Sequence, residues 1–469
     1  MPRKETIDSE LMDKVVKLAR NRGFIFPGSE IYGGLQNSWD YGPLGTELKK
    51  NIKDLWWKVF VHERPDVVGI DANVIMSTRV WEASGHLEGF KDVLVECREC
   101  HERFRADELG ITENLKRSGG STGRTGKSVR GAACPKCNAK NKLTEPKLFN
   151  TMFKTSLGPV ESSENAVYLR PETAQAMFVD FAEVLRVSRQ KLPFGIAQIG
   201  KAFRNEITTG NYIFRLREFE QMEIEYFIEP PKTRKDWEKY FDHWLGEIRR
   251  WLEMIGVDTK RVKEVEVRKE ERAHYSEKTV DIEFQYPFGQ KELYGLAYRT
   301  DYDLKAHERH SGKSVKYRDP ETGEEFIPHV IEPSLGVERT ILAVLLSAYI
   351  EEKAKTAKGT EETRIVLKLP PAIAPYKVAV LPLSGTPELV AVAEDVRRTL
   401  APLFSVDFDV TQSIGKRYRR QDEIGTPCCV TVDFDSLKDR KVTVRDRDTM
   451  KQDRVSIKTL VGYLQKKLE

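Results

Sequence analysis

An apolar stretch from Ile196 to Phe203, a polar turn around Thr208-Thr-Gly-Asn211 and a second stretch running to Ile228 predict an antiparallel β-hairpin. In the return strand, alternate residues face opposite ways, so Met222, Ile224, Tyr226 and Ile228 share one face while Phe219, Gln221, Glu223 and Glu225 share the other. The first face reads as core. The second carries two glutamates with no interleaved lysine or arginine, which requires a cationic partner or an open site. Helical spacing appears from Leu11 to Arg22 and through Leu44, Leu48, Ile52, Leu55, Val59 and Phe60, with Pro43 where a helix can start. The run Ile341 to Ile350 predicts a buried helix that begins after Gly336. A charged stretch, Glu351 to Glu362, and Pro370-Pro371 mark the exit from this body. Beyond them strand and helix patterns alternate through Lys377–Pro382, Pro387–Leu400, Phe404–Val410, Gly415–Ile424, Cys428–Val432 and Lys441–Arg445, the signature of a small α/β domain.

Length allows two or three domains and a large core, the chain having 469 residues. The net charge of +4 says little as a total, but its distribution is uneven. Cys97 to Glu145 carries eleven basic and six acidic residues, Pro375 to Glu469 carries seventeen and fourteen, and the remainder is net negative. Positive charge in two appended segments fits a polyanion approaching a body from its sides. The longest apolar run, Ile341 to Ile350, is too short to span a bilayer, and the N-terminus lacks a signal-peptide core, so a cytoplasmic protein is expected.

Six cysteines fall as Cys97-x-x-Cys100, Cys134-x-x-Cys137 and the pair Cys428 and Cys429. Two such knuckles can set four thiolates around a structural zinc ion; the competing reading is reduced structural cysteines. Cys428 and Cys429 alternate across a strand and read as buried thiols. The glycine-rich run Ser118 to Ser128 misses the phosphate-loop spacing, since Ser121 stands where the first glycine is needed, and reads as a flexible basic linker.

Arg204, Arg215 and Arg217 flank the acidic face of the hairpin. Arginine forks recognise phosphate, and Phe219 offers a flat surface for a purine. Arg339 falls in the first turn of the predicted core helix, where the helix dipole disfavours a cation, so an anion such as triphosphate is expected beside it.

Phe203-Arg-Asn-Glu206 with Phe214 to Glu225, and Glu332 to Arg339, resemble motifs 2 and 3 of a class II aminoacyl-tRNA synthetase, and the helix after Pro43 resembles motif 1, which builds the dimer interface. With Trp39 to Gly45, Trp81 to His86, Arg103 to Asp107, Leu169 to Gln175, Glu292 to Gly295, Tyr298 to Asp303 and Gly415 to Thr426, nearly the whole chain resembles the glycyl-tRNA synthetases of the homodimeric class II type. The resemblance implies an α+β fold. Its parts would be an antiparallel catalytic sheet flanked by helices (1–95 and 146–362), a zinc-knuckle insertion (96–145), a linker (363–374) and a C-terminal α/β anticodon-binding domain (375–469).

It also implies a chemistry: glycine's carboxylate attacks the α-phosphorus of ATP, pyrophosphate leaves, and the 3′-hydroxyl of tRNA(Gly) then takes the glycyl group. Matched positions assign Arg204 to the α-phosphate and Arg339 to the terminal phosphate as the catalytic arginines. ATP would also meet Asn205, Glu206, Phe214, Arg215, Leu216, Arg217, Glu218, Phe219, Glu292, Leu293, Gly336, Val337 and Glu338, with Glu292 holding Mg²⁺ or nucleotide. Glycine would lie among Arg105, Glu172, Phe219, Glu220, Gln221, Met222, Glu223, Arg299, Glu332, Pro333, Ser334, Leu335 and Gly336; Glu172, Glu223 and Glu332 surround the ammonium, and Ser334 crowds the α-carbon. A site for the smallest amino acid rejects larger ones sterically, so no editing site is needed. In the C-terminal domain Lys416, Arg417, Arg419 and Arg420 form a basic cluster suited to tRNA phosphates; a solvated helix face is the bland alternative. Two rival functions are a catalytically dead relative, which would be expected to lose Arg204, Glu206 or Arg339, and a class II ligase for another amino acid.

Overall fold

Seven strands make the central sheet of the computed structural model, which describes residues 3–106, 109–111, 129, 131–159, 162, 165–207, 210–355 and 361–469. The glycine-rich run 118–128 and the hairpin-turn residues Thr208 and Thr209 therefore lie outside the described residues. The strands are β1 (Val67–Gly69), β2 (Phe194–Phe203), β3 (Glu218–Ile228), β4 (Val262–Glu266), β5 (Lys278–Tyr286), β6 (Gly289–Thr300) and β7 (His329–Gly336). Their spatial order is β4-β5-β6-β7-β3-β2-β1, antiparallel throughout except where β1 joins β2. The predicted hairpin is β2 with β3, paired from Phe194 opposite Phe227 to Phe203 opposite Glu218.

One face of this sheet is dry. Met222, Ile224, Tyr226 and Ile228 from β3 join Tyr294, Leu296 and Tyr298 from β6 in the main core. Helices α1 (Arg3–Asn21), α2 (Pro43–Trp57), α3 (Arg234–Met254) and α4 (Val337–Ala348) pack on it. Pro43 starts α2 as its missing N–H allows, and a π turn over Lys58–His62 keeps Val59, Phe60 and Val61 buried together. A capping box between Thr233 and Asp236 begins α3, whose Trp237, Phe241, Trp244, Ile248 and Trp251 recur at helical spacing on the buried side. The other face is apolar only at one end, where Phe227, Ile196 and Val330 meet Ala174, Met177 and Phe178. Toward Phe219 that face opens.

The segment expected to be a linker is built structure instead. Tyr349–Lys355 and Glu361–Leu367 form a hairpin, and Leu367, Leu369, Ile373 and Ala374 belong to the main core. A second core fills the C-terminal α/β unit, whose sheet runs Val406–Phe408, Val378–Pro382, Cys428–Val432, Lys441–Asp446, Gln452–Ser456; the first three strands are parallel. Cys428 and Cys429 are buried on opposite sides of their strand. The cysteine knuckles stand on a small separate sheet, Arg103–Arg105, Lys91–Glu96 and Lys147–Asn150, with its own core of Val95, Ile111 and Leu143.

Candidate active site

The open face of the sheet floors a cavity of about 450 Å³. Strand alternation supplies the floor: Phe219, Gln221 and Glu223 from β3, Ser334 and Glu332 from β7, Gly295 and Ala297 from β6, Thr279 and Asp281 from β5. Gly295 keeps the middle empty, since a Cβ built there would meet nothing within 4 Å.

At one end lies a buried cluster of carboxylates. Arg299, 0% exposed, makes a fork to Asp303 (2.9 and 3.0 Å) and reaches Glu332 (2.6 Å), while its guanidinium lies 3.8 Å from the Tyr275 ring centroid. Burial alone would raise the Glu172 carboxyl, but His86 at 3.2 Å, Arg299 and the Gln175 amide hold it far below the usual range. Glu223 has only neutral partners: the hydroxyls of Thr173 and Ser334 (2.6 Å) and the Gln221 amide (3.2 Å) donate to it. Burial and the Glu172 charge push Glu223 up, and burial pushes Glu332 up to about 8 despite Arg299. Carboxylates in excess of cations, all turned to one small space, fit a compact cationic ligand.

The other end is cationic and aromatic. Arg204 spends its Nε–H on the Pro171 carbonyl (2.9 Å) and lies 5.4 Å from the ring centroids of Phe219 and Phe90. Its terminal Nη groups make no hydrogen bond among the described residues, which leaves the fork for an anion. Arg339 sits in the first turn of α4, as expected, but is met there by Glu292 at 3.1 Å and lies 4.6 Å over Phe214. Arg339 holds the Glu292 carboxyl low. Burial, Glu292 and Glu283 push Asp281 up to about 7, a carboxyl that a metal cation would ionise.

Several assigned residues lie elsewhere, those within the strands because alternation sends them there. Met222 and Leu335 are in the core, as is Val337, and Pro333 is buried outside the cavity lining. The Glu220 carboxylate faces α2, 2.9 Å from Lys53 and 3.6 Å from Lys49. Asn205, Arg217 and Glu218 line a second cavity of about 820 Å³ across the hairpin, where Arg217 donates to the Gln36 carbonyl. Glu338 borders both cavities, its oxygens taken by Lys49 Nζ and the Glu220 N–H, each at 2.8 Å. Arg105 is on the knuckle sheet and is not among the residues lining the first cavity. Arg204, Glu206, Phe214, Arg215, Leu216, Phe219, Gln221, Glu223, Glu172, Glu292, Leu293, Glu332, Ser334, Gly336 and Arg339 all line it. Sequence reasoning missed Tyr275, Thr279, Asp281 and Ala297; alternation puts Thr279, Asp281 and Ala297 on one face of β5 and β6, but that this face meets the site depends on pairing with distant strands.

In the C-terminal unit the basic cluster needs correction. Arg417 is buried and donates to the carbonyls of Pro382, Asp409 and Leu383, so it braces the fold. Arg419 pairs with Glu362 and Arg420 with Asp409, leaving Lys416 exposed.

Residues 153–348, which hold this cavity, match the tRNA synthetase class II core domain (G, H, P, S and T), and 377–467 match an anticodon binding domain. A class II aminoacyl-tRNA synthetase is therefore the class that fold and site define. The chain is 52% identical to a glycine–tRNA ligase of Caldanaerobacter subterraneus subsp. tengcongensis over 467 residues, covering 98% of each chain. A glycine–tRNA ligase of Thermobifida fusca is 50% identical over 463 residues (98% of each), and one of Geobacillus thermodenitrificans 52% over 466 (97% of each). The chain belongs to the glycine–tRNA ligase family.

Proposed function

We propose that the 450 Å³ cavity is where the chain activates glycine with ATP, glycine at the carboxylate end and nucleotide at the arginine end. As a glycine–tRNA ligase the chain forms glycyl-adenylate and pyrophosphate, then transfers glycine to the 3′ end of tRNA(Gly). The observation that carries the assignment is Glu223: a buried carboxylate with three neutral donors and, among the described residues, no ion-paired cation, complementary to an ammonium ion. Glu172 and Glu332 complete that receptor, and Ser334, pinned to Glu223, narrows the space at the α-carbon. Arg204 stabilises charge on the α-phosphate, and Arg339 charge on the terminal phosphate, by fixed position. Glycine's carboxylate is already ionised at neutral pH, so no protein base is needed for the first step. Glu292 and Asp281 would hold Mg²⁺, which when bound neutralises phosphate charge.

Cys97, Cys100, Cys134 and Cys137 form the zinc site in this reading. Their Sγ atoms pair at 3.7 Å (Cys97 with Cys137) and 3.6 Å (Cys100 with Cys134), close to the edge of about 3.8 Å that a tetrahedron of Zn–S bonds near 2.3 Å requires. The Cys100 and Glu99 N–H groups bring the Cys97 thiol down to about 6. Ile31 (89%), Tyr32 (87%) and Leu35 (65%) are exposed apolar side chains in the segment that precedes α2, and they support a homodimer interface there. No described helix is long and apolar enough to cross a membrane.

Glu223→Gln keeps the shape and removes the charge. Glycine KM should rise by the equivalent of about 2 to 5 kcal/mol, as when one partner of a buried pair is lost, with ATP KM little changed. Equal rises in both would make Glu223 structural and remove the assignment.

A further inference from the structure

Glu225 lies behind the glycine end of the cavity and has no role in the chemistry above. It is 0% exposed, and neither of its carboxylate oxygens has a hydrogen-bond partner among the described residues. Glu223, Glu225 and Glu332 each bring an oxygen within 4.8 Å of the others. The register explains the crowding: Glu223 stands opposite Ser334 and Tyr226 opposite Ile331, which sets Glu225 across from Glu332 on the neighbouring strand. Like charges directly opposite on a sheet are destabilising.

The charged groups that face Glu225 are Glu223 on its own strand, Glu332 on β7, Arg299 on β6 and Asp303 on the following helix. Glu172 and Arg170 stand one layer further, beside Glu223. Arg299 is the guanidinium that touches this group, and its forks are spent on Asp303 and Glu332. Glu172 has His86 and Gln175, and Glu223 has Thr173, Ser334 and Gln221. Glu225 alone of these five carboxyls has neither a cation nor a donor to itself among the described residues. A buried carboxyl without either takes up a proton rather than stay charged.

We propose that Glu225 is a positioning residue of the glycine site, a neutral glutamic acid that lends its proton as a hydrogen bond to Glu332 across the strand pair. The bond holds Glu332 in place and, once the ammonium has drawn Glu332 into its ionised form, does not cancel that charge, so Glu332 and Glu223 can both answer the ammonium. Glu225 itself does not touch the substrate. Burial and the Glu332 charge raise its carboxyl well above the ordinary range, in agreement. This inference rests on the glycine reading of the pocket for its kinetic consequence, but not for the protonation itself.

Three measurements on the full-length protein test it. Glu225→Leu, which has no donor, should raise glycine KM roughly tenfold or more, the effect of one lost hydrogen bond to a charged group, with ATP KM unchanged. Glu225→Gln, neutral and a donor of the same shape, should rescue glycine KM to within a few-fold of the parent. Infrared difference spectra at neutral pH, parent minus Glu225→Gln, should show the carbonyl stretch of a protonated carboxyl. A Gln variant as impaired for glycine as Glu223→Gln would make Glu225 an ionised partner of the ammonium and overturn the proposal. So would the absence of the carbonyl band. Should Glu225→Leu fail to fold, the Gln rescue and the band still decide. Should Glu223→Gln leave glycine KM unchanged, the glycine reading fails, while the band continues to report on Glu225.

Discussion

Glu172, Glu223 and Glu332 are alike in sequence but differ in what neutralises them. Glu172 has His86, Glu223 has neutral donors, and Glu332 shares Arg299 with Asp303. Glu332, pushed up to about 8, lies far above the usual glutamate value near 4.3. A carboxyl raised in the folded state gives stability that is complete below its unfolded value and is lost as pH rises through the folded one. In the proposed site glycine's ammonium would reverse that loss, because it binds the ionised form. Between about pH 6 and about pH 8.5, glycine KM should therefore fall, and glycine should raise the melting temperature more at the upper end. A glycine KM that is flat or rises over this interval would show that Glu332 is ionised before glycine arrives. Which acids face the site was legible from alternation in β3, where Met222, Ile224 and Tyr226 mark the opposite side. Asp281 and Tyr275 were not, because their nearness to Glu332 and Arg339 depends on pairings β5–β6–β7 that join distant segments.

Among the elements, the knuckle sheet and the helix Ile414–Ile424 show what spacing reveals and what it hides. The knuckles were readable because ligand spacing is local, and the Sγ distances fit one tetrahedron. Purified protein is expected to carry about one zinc per chain, and Cys134→Ser to lose it, since the remaining thiolates cannot close the site. Metal analysis that finds none in parent protein prepared without chelator would contradict this. The central sheet has its own core and should keep its fold in that variant. The basic helix was misjudged because a run of like charges hides its period. Arg417, Gln421 and Ile424 recur at helical spacing and all point inward. Of the contiguous runs 219–223 and 332–336, Phe219, Gln221, Glu223, Glu332, Ser334 and Gly336 line the cavity and the residues between them do not, for a strand shows only alternate residues to a ligand.

At the scale of the molecule, the C-terminal unit is bolted to the catalytic body rather than strung from it. Asp422, 0% exposed, takes Arg364 of the hairpin at 2.8 Å and both Nη groups of Arg445 at 2.8 and 3.1 Å. Arg364 also reaches Glu352, Arg22 just after α1 pairs with Glu423, and Asn51 of α2 donates to the carbonyls of Ile373 and Ala374. Cutting the chain near residue 363 would split a strand and open the main core, so point changes are the better probe. Asp422→Asn should cost about 3 to 5 kcal/mol of stability, because it leaves buried arginines with one partner less. In the folded fraction, glycine-dependent pyrophosphate exchange should persist while tRNA charging falls. Equal loss of both would mean that the joint serves stability alone. Selection of glycine and its joining to adenylate in one cavity is the proposed work of this chain. Its most direct test is amino-acid-dependent pyrophosphate exchange by the full-length protein with each standard amino acid in turn. Exchange with glycine and only background with alanine and serine is the result expected, and exchange with another amino acid as efficient as with glycine, or none with glycine, would contradict it.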